Sequence, residues 1–266
     1  MLKLYVQDFL RYRYLLYNLI SRDFKLKYRR SILGVAWSVL NPLMMCAVMF
    51  IVFAPMMGGL RGGGVNNFAV YLVIGQLLFN FFRESTTMAM SSIMGNALLL
   101  RKVYIPKYIF PLQKVCFGMV NCLFSFVALV IVMIVTGAPL YATIFLGIYP
   151  LITLAVFSLG VGMVLSALAV FFRDVIHLWE VFTTVLMWFS AIFYDPIQQF
   201  SGIPLLIAAI NCNPIYQYIT AFRATVMYGQ VLTGTQVLVC GVWALAMLVL
   251  GLGVFKKTQD KFVLYM

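Results

Sequence analysis

Charge is scarce in this sequence. Of its 266 residues only 10% are Asp, Glu, Lys or Arg, while 64% are hydrophobic. A soluble globular chain of this length could not cover its surface with so few charges. Acid is scarcer still: seven Asp and Glu stand against 19 Lys and Arg, with one histidine, His177. No nucleophile, base and orienting group can be assembled from that set. A membrane glycosyltransferase or lipid-modifying enzyme would carry acidic or histidine clusters, and none is written here. The order G-x-x-x-x-G-K-[ST] is missing, so ATP hydrolysis by that route is excluded. The five cysteines, Cys46, Cys116, Cys122, Cys212 and Cys240, are odd in number and contain no C-x-x-C. They suggest neither a disulfide framework nor a metal set. The first 30 residues are basic and lack a continuous apolar stretch, so they do not read as a cleavable signal peptide.

Long apolar runs and a biased placement of cations are what the sequence does have. From Leu33 to Met57 there is no charge over 25 residues. At about 1.5 Å per residue this run can cross a hydrocarbon core of roughly 30 Å. Five cations, Arg22, Lys25, Lys27, Arg29 and Arg30, stand directly before it and place that end in the cytoplasm. Of all the Lys and Arg, only Arg61, Arg83 and Arg223 fall outside segments assigned to the cytoplasm. The net charge of +12 is therefore topology bias and contact with membrane lipids, with no nucleic acid implied.

The periodicity predicts an all-α integral membrane protein. Residues 1–32 read as an amphipathic helix at the membrane interface. Arg11, Asn18, Arg22, Lys25 and Arg29 share one face, with Phe9, Leu16, Ile20 and Phe24 opposite. Six transmembrane helices are expected within 33–256, at about 33–57, 67–93, 112–136, 141–171, 175–194 and 235–255. Residues 58–66 form a Gly-rich external loop. Arg83 and Glu84 fall near the middle of the second span, where charges face protein or a water-filled path. Adjacent residues point about 100° apart, so each needs a further partner. Residues 94–113 form a basic cytoplasmic loop in which Asn96 would cap a short helix over 97–104, ended by Pro106 and Pro111. Ser158, Gly162 and Ser166 recur every four residues and favour close packing. Arg173 and Asp174 occupy a second cytoplasmic turn.

Residues 196–232 decide the topology. The apolar run from Ile203 to Ile210 is too short to cross. A seventh span over 203–226 would bury Asn211, Asn213, Pro214 and Arg223. It would also send Lys256, Lys257 and Lys261 outside. A re-entrant or external helical hairpin between spans five and six avoids both problems. Both termini are then cytoplasmic, with 257–266 as a cytoplasmic tail.

Twelve positions from Arg22 to Leu43 (Arg22, Asp23, Lys25, Lys27, Tyr28, Ser31, Leu33, Gly34, Trp37, Leu40, Pro42 and Leu43) carry a family resemblance. The pattern RD-x-K-x-[KR]-Y-x-x-S-x-LG-x-x-W-x-x-L-x-P-L resembles the start of polysaccharide-exporting ABC-2 type permeases, which serve O-antigen, teichoic acid and capsular glycans. The loop at 94–113, the F-F-R-D-V-x-H turn and the stretch from Asn213 to Arg223 resemble the same family. One departure concerns the S-P-I-x-Y pattern at the end of span five. Here Ser190, Ile192 and Tyr194 agree but Ala191 replaces the proline, which puts a proline-induced kink in question.

The resemblance implies a transport subunit without its own ATPase site. It implies a homodimer of this chain in a bacterial cytoplasmic (inner) membrane, working with separate ABC ATPase subunits that hold ATP and Mg, and moving a lipid-linked glycan. No cofactor is expected on this chain. Asn96, Leu99, Arg101, Lys102, Tyr104, Arg173 and Asp174 would couple to the ATPase. Asn213, Pro214, Tyr216 and Arg223 would belong to an external gate hairpin. Sugars carry apolar faces as well as hydroxyls, so an aromatic-lined path could hold them loosely. Trp37, Trp179, Trp188, Phe189, Phe193 and Tyr194, with Arg83 and Glu84, are the channel candidates. Aromatic rings are common in membrane spans anyway, and structural packing is the ordinary reading for each. An exporter of small apolar drugs or lipids would show the same topology. An ATP-independent carrier would be expected to show inverted repeats, and none is legible.

Overall fold

The computed structural model describes residues 2–29, 31–53, 55, 67–102, 105–200 and 202–265. The expected loop at 58–66, Tyr104 and the side chains of Phe9, Arg11 and Arg101 lie outside the described residues. Everything regular among the described residues is helical. The order is α1 (Leu2–Tyr28), α2 (Trp37–Phe53), α3 (Phe68–Gly95), α4 (Ala97–Lys102), α5 (Ile109–Val135) and α6 (Ile148–Phe171). There follow α7 (Val175–Phe189), α8 (Pro196–Gln199), α9 (Pro204–Asn211), α10 (Pro214–Val226), α11 (Gly234–Thr258) and α12 (Phe262–Tyr265).

Helix starts are chemically explicit. Asn67 accepts from the Val70 N–H at 3.2 Å and opens α3. Asp195 and Asn213 cap α8 and α10, each with a proline in the first turn. Thr233 and Gln236 form a capping box at α11. Pro111 was expected to interrupt the chain, but it falls in the first turn of α5, where its missing N–H costs nothing.

Among the described residues, four helical stretches are long and apolar enough to cross a membrane: Gly34–Phe53, Ile109–Val135, Ala142–Phe171 and Gly234–Lys261. α3 has the length, 28 residues, but carries a polar stripe and is the helix most surrounded by the others. α7 has only 15 residues. The span expected over 175–194 thus ends at Phe189. The chain turns through Ala191 at φ +47°, the left-handed region. Proline, fixed near −65°, could not occupy that turn. The break that a proline would make is made here by a left-handed alanine, with Ser190, Ala191 and Ile192 fully buried.

Contacts sort the helix ends into two groups. At one end Lys107 Nζ donates to the Gln259 carbonyl at 2.5 Å. There Phe262 is wholly buried against Phe171 and Phe255. The last residues therefore fold back onto the loop before α5 and the end of α6. At the other end Thr143 Oγ1 donates to the Thr225 carbonyl at 2.7 Å, and Asn213 Nδ2 to the Phe189 carbonyl at 3.1 Å. α10 is sunk into the bundle rather than lying on it. Ile215, Tyr218, Ile219, Phe222 and Val226 are all buried, and Tyr218 donates to the Cys240 carbonyl of α11 at 2.9 Å.

Candidate transport site

Two cavities open within the helix bundle and meet at Lys27 and Glu84. The larger, about 830 Å³, lies between α1, α3, α5 and α7. Its charged lining is balanced: Lys27, Arg83 and Lys114 against Asp23, Glu84 and Glu180. The smaller, about 490 Å³, lies between α2, α3 and α5 with the end of α1 at its edge, and sets amides and hydroxyls such as Asn41, Gln76, Asn80 and Asn121 among apolar side chains such as Trp37, Leu77 and Phe81. Lys27 Nζ stands 3.9 Å from Glu84 Oε2, at the junction of the two.

Arg83 and Glu84 thus find their surroundings in a cavity. Glu84 is joined to the basic segment of α1 rather than to Arg83. The aromatic candidates divide. Trp37 is exposed and lines the smaller cavity. Trp179 is packed inside the subunit against Phe82 and Phe182. Phe193 is also buried, stacked on Phe53 with Trp188 beside it. Tyr194 donates to the Trp188 carbonyl at 2.6 Å, and Phe189 is exposed. Trp37 therefore lies apart from the Phe53–Trp188–Phe193–Tyr194 cluster, which gathers where α2 and α7 end.

The cytoplasmic candidates fall on exposed edges. α4 is described over Ala97–Lys102, with Lys102 and Leu98 exposed and Leu99 half-buried against the core below. Asn96 does not cap this helix with its side chain. Its Nδ2 donates back to the Ser92 carbonyl at 2.8 Å and its Oδ1 accepts from Arg22 at 3.5 Å. Only its backbone carbonyl serves α4, accepting from Leu99 at 3.0 Å. Arg173 and Asp174 lie exposed in the turn after α6, beside an exposed Phe172. Of the hairpin candidates, Asn213, Tyr216 and Arg223 are buried. Arg223 donates to the carbonyls of Tyr71, Ala191 and Ile192.

Composition gave no pointer to the anchor of α1. Asn18, Arg22, Lys25 and Arg29 are exposed, and Leu16, Ile20 and Phe24 are half-buried. The face that docks is marked instead by Leu19 and Asp23, four apart and both buried. Asp23 accepts from Gln113 Nε2 at 2.6 Å, pairs with Lys114, and is 3.2 Å from Arg22. Burial alone would raise its carboxyl, but Lys114, Gln113 and Arg22 outweigh that and hold it below the usual carboxylate range. A lowered folded value means the contribution is complete above the unfolded value of about 3.9 and is lost only as pH falls through the folded one. Acidification from pH 7 to 5 should therefore leave α1 docked. Asp23→Asn should release it at pH 7, raising tryptic cleavage at Lys25, Lys27 and Arg29 by roughly tenfold or more, since breaking a buried pair costs a few kcal/mol. An unchanged cleavage rate would disprove the anchor.

Comparison with known proteins follows the same outline. Residues 14–227 match the ABC-2 type transporter family. An O-antigen export system permease protein RfbA of Klebsiella pneumoniae is 28% identical over 253 residues, 93% of each chain. An RfbA of Myxococcus xanthus is 29% identical over 224 residues, 82% of each chain. The capsule polysaccharide export inner-membrane protein CtrC of Neisseria meningitidis is 23% identical over 205 residues, 75% of this chain and 76% of its own. With a family match across most of its length and its bundle of apolar helices, the chain belongs to the ABC-2 type transporter family.

Proposed function

We propose that this chain is the permease subunit of an ATP-driven exporter that moves a lipid-linked polysaccharide across the bacterial cytoplasmic membrane. The observation that carries the reading is that relatives covering 75–93% of this chain are O-antigen and capsule export proteins by name. The two cavities, whose linings combine charges and amides with apolar and aromatic side chains, are compatible with a sugar chain.

The family implies an ABC ATPase partner. On our reading two such subunits hold ATP and Mg and press on α4 and the Arg173–Asp174 turn, where Leu98 and Phe172 offer exposed apolar contacts. Two copies of this chain form the conduit. Each crosses six times, on α2, α3, α5, α6, α7 with its buried turn, and α11, leaving both termini cytoplasmic. The grouping of helix ends supports that count. Gating by 196–232 falls to α8 and α9, because α10 is pinned.

The test is to deplete the protein in its own cell and to analyse surface and intracellular glycans separately. One polymer should vanish from the surface and accumulate inside on its lipid carrier. Unchanged surface glycans with no accumulation would end the polysaccharide reading.

A further inference from the structure

The smaller cavity has a lining that the helices leave unsatisfied. Gln76, Asn80 and Glu84 recur every four residues on one face of α3. Asn121 faces them from α5 and Asn41 from α2. Among the described residues, the side chains of Asn41, Gln76 and Asn80 make no hydrogen bond. Asn121 is 5% exposed, and its Oδ1 accepts from the Tyr28 hydroxyl at 3.3 Å while its Nδ2 has no partner. Polar side chains between membrane helices ordinarily bond across the helix contact. These four do not complete such bonds; they face open space. Asn41 and Asn80 are exposed and Gln76 half-buried, but the Asn121 Nδ2 is buried without a partner, which is costly, so an acceptor for it must come from whatever fills the cavity.

We infer that this cavity between α2, α3 and α5 is a recognition site for a segment of the glycan, in which Gln76, Asn80 and Asn121 read sugar hydroxyls. The inference rests on the exporter reading above. Carboxamides each donate and accept, which matches a hydroxyl that does both. The volume, about 490 Å³, suits a small-ligand site. Lys27 and Glu84 stand at the threshold to the wider, charge-lined cavity on the α1 side, so the polymer would pass from charged to neutral surroundings at that pair. A neutral inner site recognises hydroxyls and acetamido groups and offers nothing to hold an anionic group beyond the threshold.

The experiment replaces Gln76 and Asn80 together with Leu in cells in which depletion of the wild-type protein blocks export. Q76L/N80L should lower surface polymer by roughly tenfold or more, with lipid-linked polymer accumulating inside. Dimer assembly and co-purification of the ATPase should persist. Q76S/N80S, which restores hydroxyl donors and acceptors with less bulk, should recover much of the export. Full export by Q76L/N80L would overturn the site. Loss of the dimer in Q76L/N80L would also overturn it, since the cavity would then be filled by the second copy. Failure of the Ser variant to recover export, with assembly intact, would reduce the residues to packing. If depletion of the wild-type protein changes no glycan, the exporter reading falls first and this site with it.

Discussion

Replacing Arg223 with Ala should loosen α10 from α3 and the 190–195 turn, with a loss of roughly 3–5 kcal/mol, since each hydrogen bond from a charged group contributes about 1.5–3 kcal/mol. Arg223 is 3% exposed and, among the described residues, forms no salt bridge, with Asp195 acting on it only at longer range. Its charge is spread over three carbonyls instead: Ala191 at 3.1 Å, Tyr71 at 3.0 Å and Ile192 at 3.4 Å. It also lies 3.2 Å from the centroid of the Tyr71 ring, and it sits in the last turn of α10, where the helix dipole favours a cation. Tyr71 closes the arrangement from the other side, donating to the Ala191 and Tyr194 carbonyls at 3.1 and 2.8 Å. The left-handed turn at 191 leaves carbonyls buried without helical partners, and these two side chains satisfy them. Removing the arginine strands the Ile192 carbonyl and leaves that of Ala191 to the Tyr71 hydroxyl alone. In detergent micelles the melting temperature of R223A should drop by roughly 10 °C. Arg223→Lys keeps the charge but not the fork, so it should fall between the two. A melting temperature for R223A within about 2 °C of wild type would sink this account.

That pin also explains why the sequence was only partly readable here. A seventh span was unfavourable because Asn213 and Arg223 would meet lipid, and this argument needs only transfer energies. With that, 196–232 is expected to form a hairpin and Arg223 is a gate candidate. Its hydrogen bonds to Tyr71 and to the 190–195 turn reach about 150 and 30 residues away, which no local pattern connects. The apolar runs, the basic segments and the capping residues were legible because each acts within one or two helical turns. Arg83 and Glu84 were visible as charges out of place, whereas Gln76 and Asn80 were passed over because single amides in a span raise no alarm. Their four-residue spacing with Glu84 was the available signal. Asp23 was counted as part of a motif, but its work is to receive Gln113 and Lys114 from α5, a contact across 90 residues.

Close packing was predicted on Ser158, Gly162 and Ser166, and the structure divides that task. Gly162 faces α3, where an added Cβ would lie 2.7 Å from the Ala89 Cβ. The tighter approach belongs to Gly160, two residues earlier and on another face, which meets Gly251 of α11. A Cβ on Gly160 would lie 2.3 Å from the Met247 carbonyl oxygen, and one on Gly251 would lie 2.4 Å from the Gly160 oxygen. Both obstacles are backbone, which cannot rotate away as a side chain can. Either alanine must therefore push α6 and α11 apart. In a membrane, where packing rather than water drives helix association, that lost contact is poorly compensated. Gly160→Ala and Gly251→Ala should each cost about 1–3 kcal/mol. The two should also be strongly non-additive. Once one methyl has separated the helices, the second enters space already opened, so the double variant should fall short of the sum by about 1 kcal/mol or more. Thermal unfolding of the four proteins of the cycle measures this. Strict additivity would mean that each glycine is accommodated independently. Two neutral single variants would mean that the helices do not approach as closely as the backbone contacts require.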